Sequence, residues 1–300
     1  MRSVYADLGG PVHHVDFGGP DGAPPVVLVH GLGGSHLNWT RLAAELTPHA
    51  RVHALDLPGF GRTPAAGRPT TVTANAAVLR RYLADVIGGP AVLIGNSMGG
   101  MISTLTAAGS PDLVPAVVLV DPSVPIAKGA RIDPAVRLRF LTNLIPGVAG
   151  WTMRRRLTTI PPRRRVLEDL AVICADSSRI PDQFVADTLA LDAELPPPRP
   201  RVAAHLAASR SLLRQLAAPA GYWRAMHALT MPVLLAHGVH DRLVPVASAR
   251  ATAARLPHWT YVELDSGHVP QLEHPTELAA HILPWLRRHE LLPTAPAPAA

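Results

Sequence analysis

The stretch Ala91-Val92-Leu93-Ile94-Gly95-Asn96-Ser97-Met98-Gly99-Gly100 joins a short apolar run to a glycine-rich turn. A run of this length, closed by glycine, reads as a buried strand rather than a helix. The residues that follow, about 98–108, are compatible with a helix. A serine in G-x-S-x-G between a strand and a helix is held in a strained backbone, with its hydroxyl exposed above the sheet edge. Gly95 and Gly99 give that turn its room, because side chains there would meet neighbouring backbone. The new helix also directs its free N–H groups toward developing negative charge. The competing reading is a turn that cradles phosphate. A P-loop would need a lysine after the last glycine, and the spacing does not fit G-x-G-x-x-G. Ser97 is therefore expected to be a nucleophile.

Similar apolar runs lie on either side, at 25–30, 51–55, 116–120, 232–237 and 260–264. Helix-compatible stretches at about 38–46, 74–87, 246–255 and 275–289 alternate with them. This alternation predicts an α/β fold: a mostly parallel central sheet with helices on both faces. Residues 12–17 are expected to add an edge hairpin. The rhythm breaks between Val120 and Met231, where helical patches, arginine clusters and prolines replace strands. The expected organisation is a core of residues 1–122 and 230–291 and a helical cap insertion at 123–229. A Pro/Ala-rich tail at 292–300 is expected to be disordered.

A serine hydroxyl needs a positioned base. His268 follows the last predicted strand in Asp265-Ser266-Gly267-His268-Val269-Pro270, on the same rim as Ser97. An acid must hold the imidazole in one tautomer. Asp241 follows the preceding strand and is the expected acid; Asp121, at the end of the strand before the insertion, is the rival. The order Ser97, Asp241, His268 fits a Ser–acid–His triad. Two backbone donors should face the oxyanion. One is the N–H of Met98. The other is assigned to Leu32 in His30-Gly31-Leu32-Gly33-Gly34-Ser35, with Gly31 and Gly33 as alternatives.

Composition narrows the function classes. The single cysteine, Cys174, excludes an intramolecular disulfide and reads as a packed small hydrophobe. No run is long enough for a membrane span, and no signal-peptide pattern opens the chain, so a cytoplasmic protein is expected. The formal charge is +6, and residues 123–229 hold sixteen basic against eight acidic side chains. The densest clusters are Arg154-Arg155-Arg156 and Arg163-Arg164-Arg165. They read first as a solvated helical face, and otherwise as a contact for an anionic substrate, carrier protein or lipid head group. Aromatic content of 4% and the lack of a recognition motif argue against nucleic acid. No metal is expected: there is no H-E-x-x-H, and His13 and His14 would diverge on a strand.

Together these motifs resemble the α/β-hydrolase superfamily over about 25–123 and 230–290. The resemblance rests on His30-Gly31, Asp56-Leu57-Pro58-Gly59-Phe60-Gly61, the Ser97 elbow and the Asp241 and His268 loops. It implies a structural role for the Asp56 turn. It also implies a cap over the site at 123–229. The expected activity is cofactor-free cleavage of a small-molecule carboxylic ester through an acyl-enzyme. Gly-Asn-Ser-Met-Gly-Gly is also similar to the elbow of serine-dependent C–C hydrolases of vinylogous diketones. Leu32-Gly33-Gly34-Ser35 and Val269 depart from that branch, which tends to carry Ser-Gly-Pro-Gly and a tryptophan. A third reading, from another class, is a receptor-like binding protein with little turnover.

Overall fold

A computed structural model describes residues 1–145 and 147–293. The strands are β1 (Arg2–Asp7), β2 (Pro11–Gly18), β3 (Pro25–Val29), β4 (Arg51–Leu55), β5 (Val92–Asn96), β6 (Val117–Val120), β7 (Val233–Gly238) and β8 (Thr260–Leu264). They form one sheet in the order β1-β2-β4-β3-β5-β6-β7-β8. Strands β3 to β8 run parallel, whereas β1 and β2 form an antiparallel hairpin paired to β4. The expected edge hairpin thus occurs, and it uses residues 2–7 as its outer strand.

The central strands read as unbroken apolar runs because both faces are covered. Val27, Val29, Leu93, Leu119 and Leu235 enter one core layer; Val26, Leu28, Ile94, Val118 and Leu234 enter the other. The first layer is closed by α2 (Val72–Arg81), α3 (Met98–Gly109) and α10 (Val246–Arg255). The second is closed by α1 (Thr40–Leu46) and α12 (Pro275–Arg288). Helix α2 does not end at Arg81. It widens into a π-helix over Tyr82–Ile87 and stops at Gly88, whose φ of 80° favours a residue without a Cβ.

Between β6 and β7 the chain is helical: α4 (Pro134–Leu144), α5 (Val148–Thr159), α6 (Pro162–Ile173), α7 (Asp182–Glu194), α8 (Pro198–Ala217) and α9 (Ala220–His227). The last two are fused to the core. Ala208, Leu212, Tyr222 and Met226 join the layer containing α3, and Ser211 Oγ accepts from Val72 N. At the other end, α6 and α7 build a small apolar cluster that includes Val269 and Leu272. Buried Cys174 belongs to it, and burial pushes its thiol pKa up. Leu292 packs into the core. The remaining tail residues, 294–300, lie outside the described residues. Among the described residues no helix is long and apolar enough to cross a membrane.

Two buried carboxylates hold the loops. Asp56, just after β4, accepts from the backbone N–H of His36 and Arg62 and from the rings of His13 and His36. Burial opposes its charge, but these hydrogen bonds keep its pKa well below the usual carboxylate range. His13 therefore points toward Asp56, while its neighbour His14 turns the other way, to Tyr82. Glu273, in the short helix α11 (Pro270–Glu273), joins the insertion to the core. Its Oε1 accepts from Ala175 N and Asp176 N, and its Oε2 from Ser266 Oγ and Gly267 N.

Removing either acceptor strands several donors in the interior. Asp56→Ala is expected to destabilise by about 3 kcal/mol or more, which calorimetry would register as a Tm lower by roughly 5–10 °C. Glu273→Ala should act more locally. Amide hydrogen exchange at Ala175, Asp176 and Gly267 is expected to accelerate at least tenfold; unchanged protection there would show that the carboxylate holds nothing.

Candidate active site

Ser97 lies between the end of β5 and the start of α3, with φ 55° and ψ −119°. This is backbone that a residue with a side chain adopts only when its surroundings force it. The forcing contacts are visible. Ser97 N donates to Val120 O on β6, and Ser97 O accepts from the N–H of Gly100 and of Ser123. The glycines are required by space. A Cβ on Gly95 would lie 2.5 Å from Gly99 O, and one on Gly99 would lie 2.1 Å from Val29 O. The turn is compressed between β3 and α3, which lifts the serine out of the sheet.

His268 and Asp241 meet at the same rim. His268 Nδ1 lies 2.7 Å from Asp241 Oδ2, with both side chains buried. Asp241 is itself fixed, because its Oδ1 accepts from Leu243 N at 2.7 Å and Val244 N at 3.0 Å. Burial works against its ionisation, yet His268 and these hydrogen bonds hold its pKa below the usual value. The acid-bearing and histidine-bearing loops pass so closely that a Cβ on Gly238 would lie 2.1 Å from Gly267 O. Gly267 is pressed from the other side, with Ile173 O and Ala175 N each 2.5 Å from a Cβ there. His268 N donates to Ile173 O at 2.6 Å. The insertion and Glu273 therefore set the position of the loop that carries the imidazole.

The residue that joins the serine to the histidine loop is Asn96. Its Nδ2 donates both to Val120 O and to His268 O, each at 3.0 Å. The sequence reading treated it only as a filler in the motif. Ser123 was missed as well. Its Oγ lies 3.4 Å from Ser97 Oγ, which among the described residues makes no hydrogen bond to His268. The signal available in the sequence was position alone: Ser123 follows strand β6 on the rim where the other groups converge.

The rival acid is close, but among the described residues it makes no hydrogen bond to the imidazole of His268. Asp121, at φ 44°, uses Oδ1 to accept from Gly238 N at 2.8 Å. Its Oδ2 has no hydrogen-bond partner among the described residues. Complete burial, reinforced by the charge of Asp241, pushes its pKa well above the carboxylate range. His237 stands between the two acids, with Nε2 at 3.4 Å from Asp241 and 3.7 Å from Asp121. Nε2 donates to Val244 O, and burial lowers the pKa of the ring.

The loop after β3 faces the serine. A Cβ on Gly31 would lie 3.0 Å from Ser97 Cβ. Gly34 N donates to Gly31 O and Gly33 has φ 79°, which makes 31–34 a tight turn with Leu32 at its first corner. His30 secures this turn, donating from Nδ1 to Gly31 O and accepting at Nε2 from Leu57 N. Met98 is the first residue of α3, so its N–H has no acceptor within the helix. Among the described residues two buried groups could offer three ligands to a metal: His13, His36 and Asp56, and Asp121, His237 and Asp241. In the first, both Asp56 oxygens already accept from N–H groups. In the second, Asp241 is occupied by His268.

Comparison with known proteins agrees with this geometry at the level of the fold. The chain is 32% identical to the pimeloyl-[acyl-carrier protein] methyl ester esterase of Aromatoleum aromaticum over 271 residues, 86% of this chain and 96% of that protein. It is 40% identical to lipase LipV of Mycobacterium tuberculosis over 123 residues, 41% of this chain and 46% of the lipase. Among solved structures, a haloalkane dehalogenase loop variant from Bradyrhizobium elkanii superposes with a TM-score of 0.78 at 23% identity, covering 96% of this chain and 97% of that one. That likeness is one of fold alone. The family model described as "alpha/beta hydrolase fold" matches residues 24–275, and the chain belongs to that family.

Proposed function

We propose that the protein is a serine hydrolase that cleaves a carboxylic ester through an acyl-enzyme, with Ser97, His268 and Asp241 as its triad. The observation that carries the reading is the buried His268–Asp241 hydrogen bond, 2.7 Å long, on the rim where Ser97 occupies its strained turn. Anchoring Nδ1 on a carboxylate leaves Nε2 as the basic face of the imidazole. The names of the esterase and lipase relatives support the same chemistry.

The steps follow from those positions. As the ester binds, the Ser97 hydroxyl leaves Ser123 and turns toward His268, since such contacts tighten only in the substrate complex. Ser97 Oγ attacks the carbonyl carbon, and its proton passes to His268 Nε2. The N–H groups of Leu32 and Met98 receive the oxyanion. Asp241 stabilises the imidazolium without taking the proton. Collapse of the tetrahedral intermediate expels the alcohol, which takes the proton from His268. Water, deprotonated by His268, then releases the carboxylic acid. No cofactor enters the scheme. Residues 123–229 serve as the cap, with α8 over the oxyanion turn: His205 lies 3.6 Å from where a Cβ on Gly33 would be.

Ester cleavage is favoured over C–C cleavage by the state of the cap arginines. A dienone acid would need a cation near the serine. Arg165, the buried arginine among the described residues, is committed to Asp192 and the carbonyl of Leu157. A receptor-like role is disfavoured by the strained Ser97 turn and the His268–Asp241 pair occurring at one rim.

Ser97→Ala should lower kcat/KM for a nitrophenyl ester by roughly 10⁴-fold or more, and unchanged turnover would sink the mechanism. Asp241→Asn is expected to cost about 10³–10⁴-fold, whereas Asp121→Asn should leave the rate within a few fold. If the two acids behave the other way round, the role passes to Asp121. A panel of nitrophenyl esters against a vinylogous diketone acid separates ester from C–C cleavage, and slow labelling by a fluorophosphonate would favour the binding-protein reading.

A further inference from the structure

The arginine clusters of the insertion do not share one fate. Arg156 pairs with Glu168 and Asp169, and Arg165 with Asp192, which also holds Arg201. Arg164 pairs with Glu168. Arg154, Arg155 and Arg163 remain exposed, with no carboxylate at ion-pair distance among the described residues. Residues 134–167 contain eight arginines and not one acidic side chain. A solvated helical face of ordinary composition would interleave both signs.

The same helices expose apolar side chains. Leu138 and Leu141 on α4, Ile145 in the turn, Val148 and Trp151 on α5, and Leu167 on α6 are all at least two-fifths exposed. Most of the large hydrophobic side chains on the surface of the described chain fall on this segment. They are not displaced core residues. Helix α5 packs inward through Ala149, Met153 and Leu157 against Val202 and Leu206 of α8. Its opposite side carries Val148, Trp151 and Arg155, with the Arg155 guanidinium 5.4 Å from the Trp151 ring centre. The helix is thus apolar on two sides, and among the described residues only the inner side is packed, while Val148 and Trp151 on the other are exposed.

We propose that α4, α5 and the start of α6 dock on an anionic lipid surface, with Leu138, Leu141, Val148 and Trp151 entering the head-group boundary and Arg154, Arg155 and Arg163 meeting the lipid phosphates. Apolar side chains combined with arginine and an exposed tryptophan are the composition of a helix that lies in a membrane interface. The charge complementarity is diffuse: cations are spread over two helices, and no carboxylate is interleaved to fix an orientation. That suits a fluid surface of like charges better than a folded acidic protein, whose recognition needs matched positions. The proposal stands independently of the ester-hydrolase reading.

The test is flotation of the full chain with vesicles of phosphatidylcholine alone or mixed with phosphatidylglycerol. Co-flotation is expected with the mixed vesicles at about 0.1 M salt, falling as salt is raised, and not with phosphatidylcholine alone. One arginine near an anionic surface is worth roughly fivefold in partitioning, so Arg154→Gln/Arg155→Gln/Arg163→Gln should lose on the order of a hundredfold. Leu141→Ser/Trp151→Ser should weaken binding at low and high salt alike. All five positions are exposed, so thermal melting of both variants should match the parent. Failure of the parent chain to float with mixed vesicles overturns the proposal, as does flotation unchanged in both variants. Capture by an acidic acyl carrier protein without vesicle binding also overturns it, assigning the arginines to a protein partner.

Discussion

Helix α3 begins so near strand β3 that the carbonyl oxygen of Val29 occupies the space where a Cβ on residue 99 would stand. Much of the molecule follows from that approach. The chain can turn from β5 into α3 only by passing through one residue in a strained conformation, and that residue is Ser97. Because the helix starts there, its first free N–H, that of Met98, lies beside the serine. Because β3 is the strand in contact, the loop that follows it, with Gly31 against Ser97, is brought to the same point. A single steric constraint aligns a hydroxyl, a helix terminus and a glycine turn.

The remaining groups are held by acceptors as well as by packing. Asp241 accepts two backbone N–H groups and the His268 ring, and Glu273 accepts three backbone N–H groups and a serine hydroxyl. Asp121 sits in the same interior with one oxygen unpaired. The contrast sets their acidities apart. The carboxylate with a full set of donors has its pKa held down, and its poorly supplied neighbour has its pKa pushed up. Two acids at one rim disfavour each other's charge, and the donors supplied to Asp241 decide which of them resists that push.

The fold was legible because buried parallel strands leave a blunt mark: runs such as Val26-Val27-Leu28-Val29 are apolar at every position when both faces are covered. The outer strand Arg2–Asp7 left no such mark, since it lies at the exposed edge and its composition is mixed. The shared rim of Ser97, Asp241 and His268, the candidate triad, was legible because each follows a strand and strand ends lie together. Asn96, Ser123 and Glu273 were not. Apart from Ser266 and Gly267 beside Glu273, their partners are 24 to 172 residues away along the chain, in Val120, His268, Ser97 and the 175–176 backbone. A contact that depends on a carbonyl or N–H leaves no trace in the identity of the residue that supplies it. The arginine clusters illustrate the same limit, because Arg155 and Arg156 are alike in sequence and differ only in what the fold sets beside them.

The double grip of Glu273 has a consequence for how the molecule divides into exchangeable parts. The insertion is continuous in sequence, but its rear edge is not a free boundary. Leu170 and Cys174 share a core with Val269 and Leu272, His268 N is bound to Ile173 O, and Gly267 has no room for a side chain because residues 173–175 fill it. Cutting at the two strand ends would therefore sever the histidine loop from the surface against which it is moulded. Any exchange of the insertion would have to carry residues 266–273 with it, and would still break the contacts of α8 and α9 with the core.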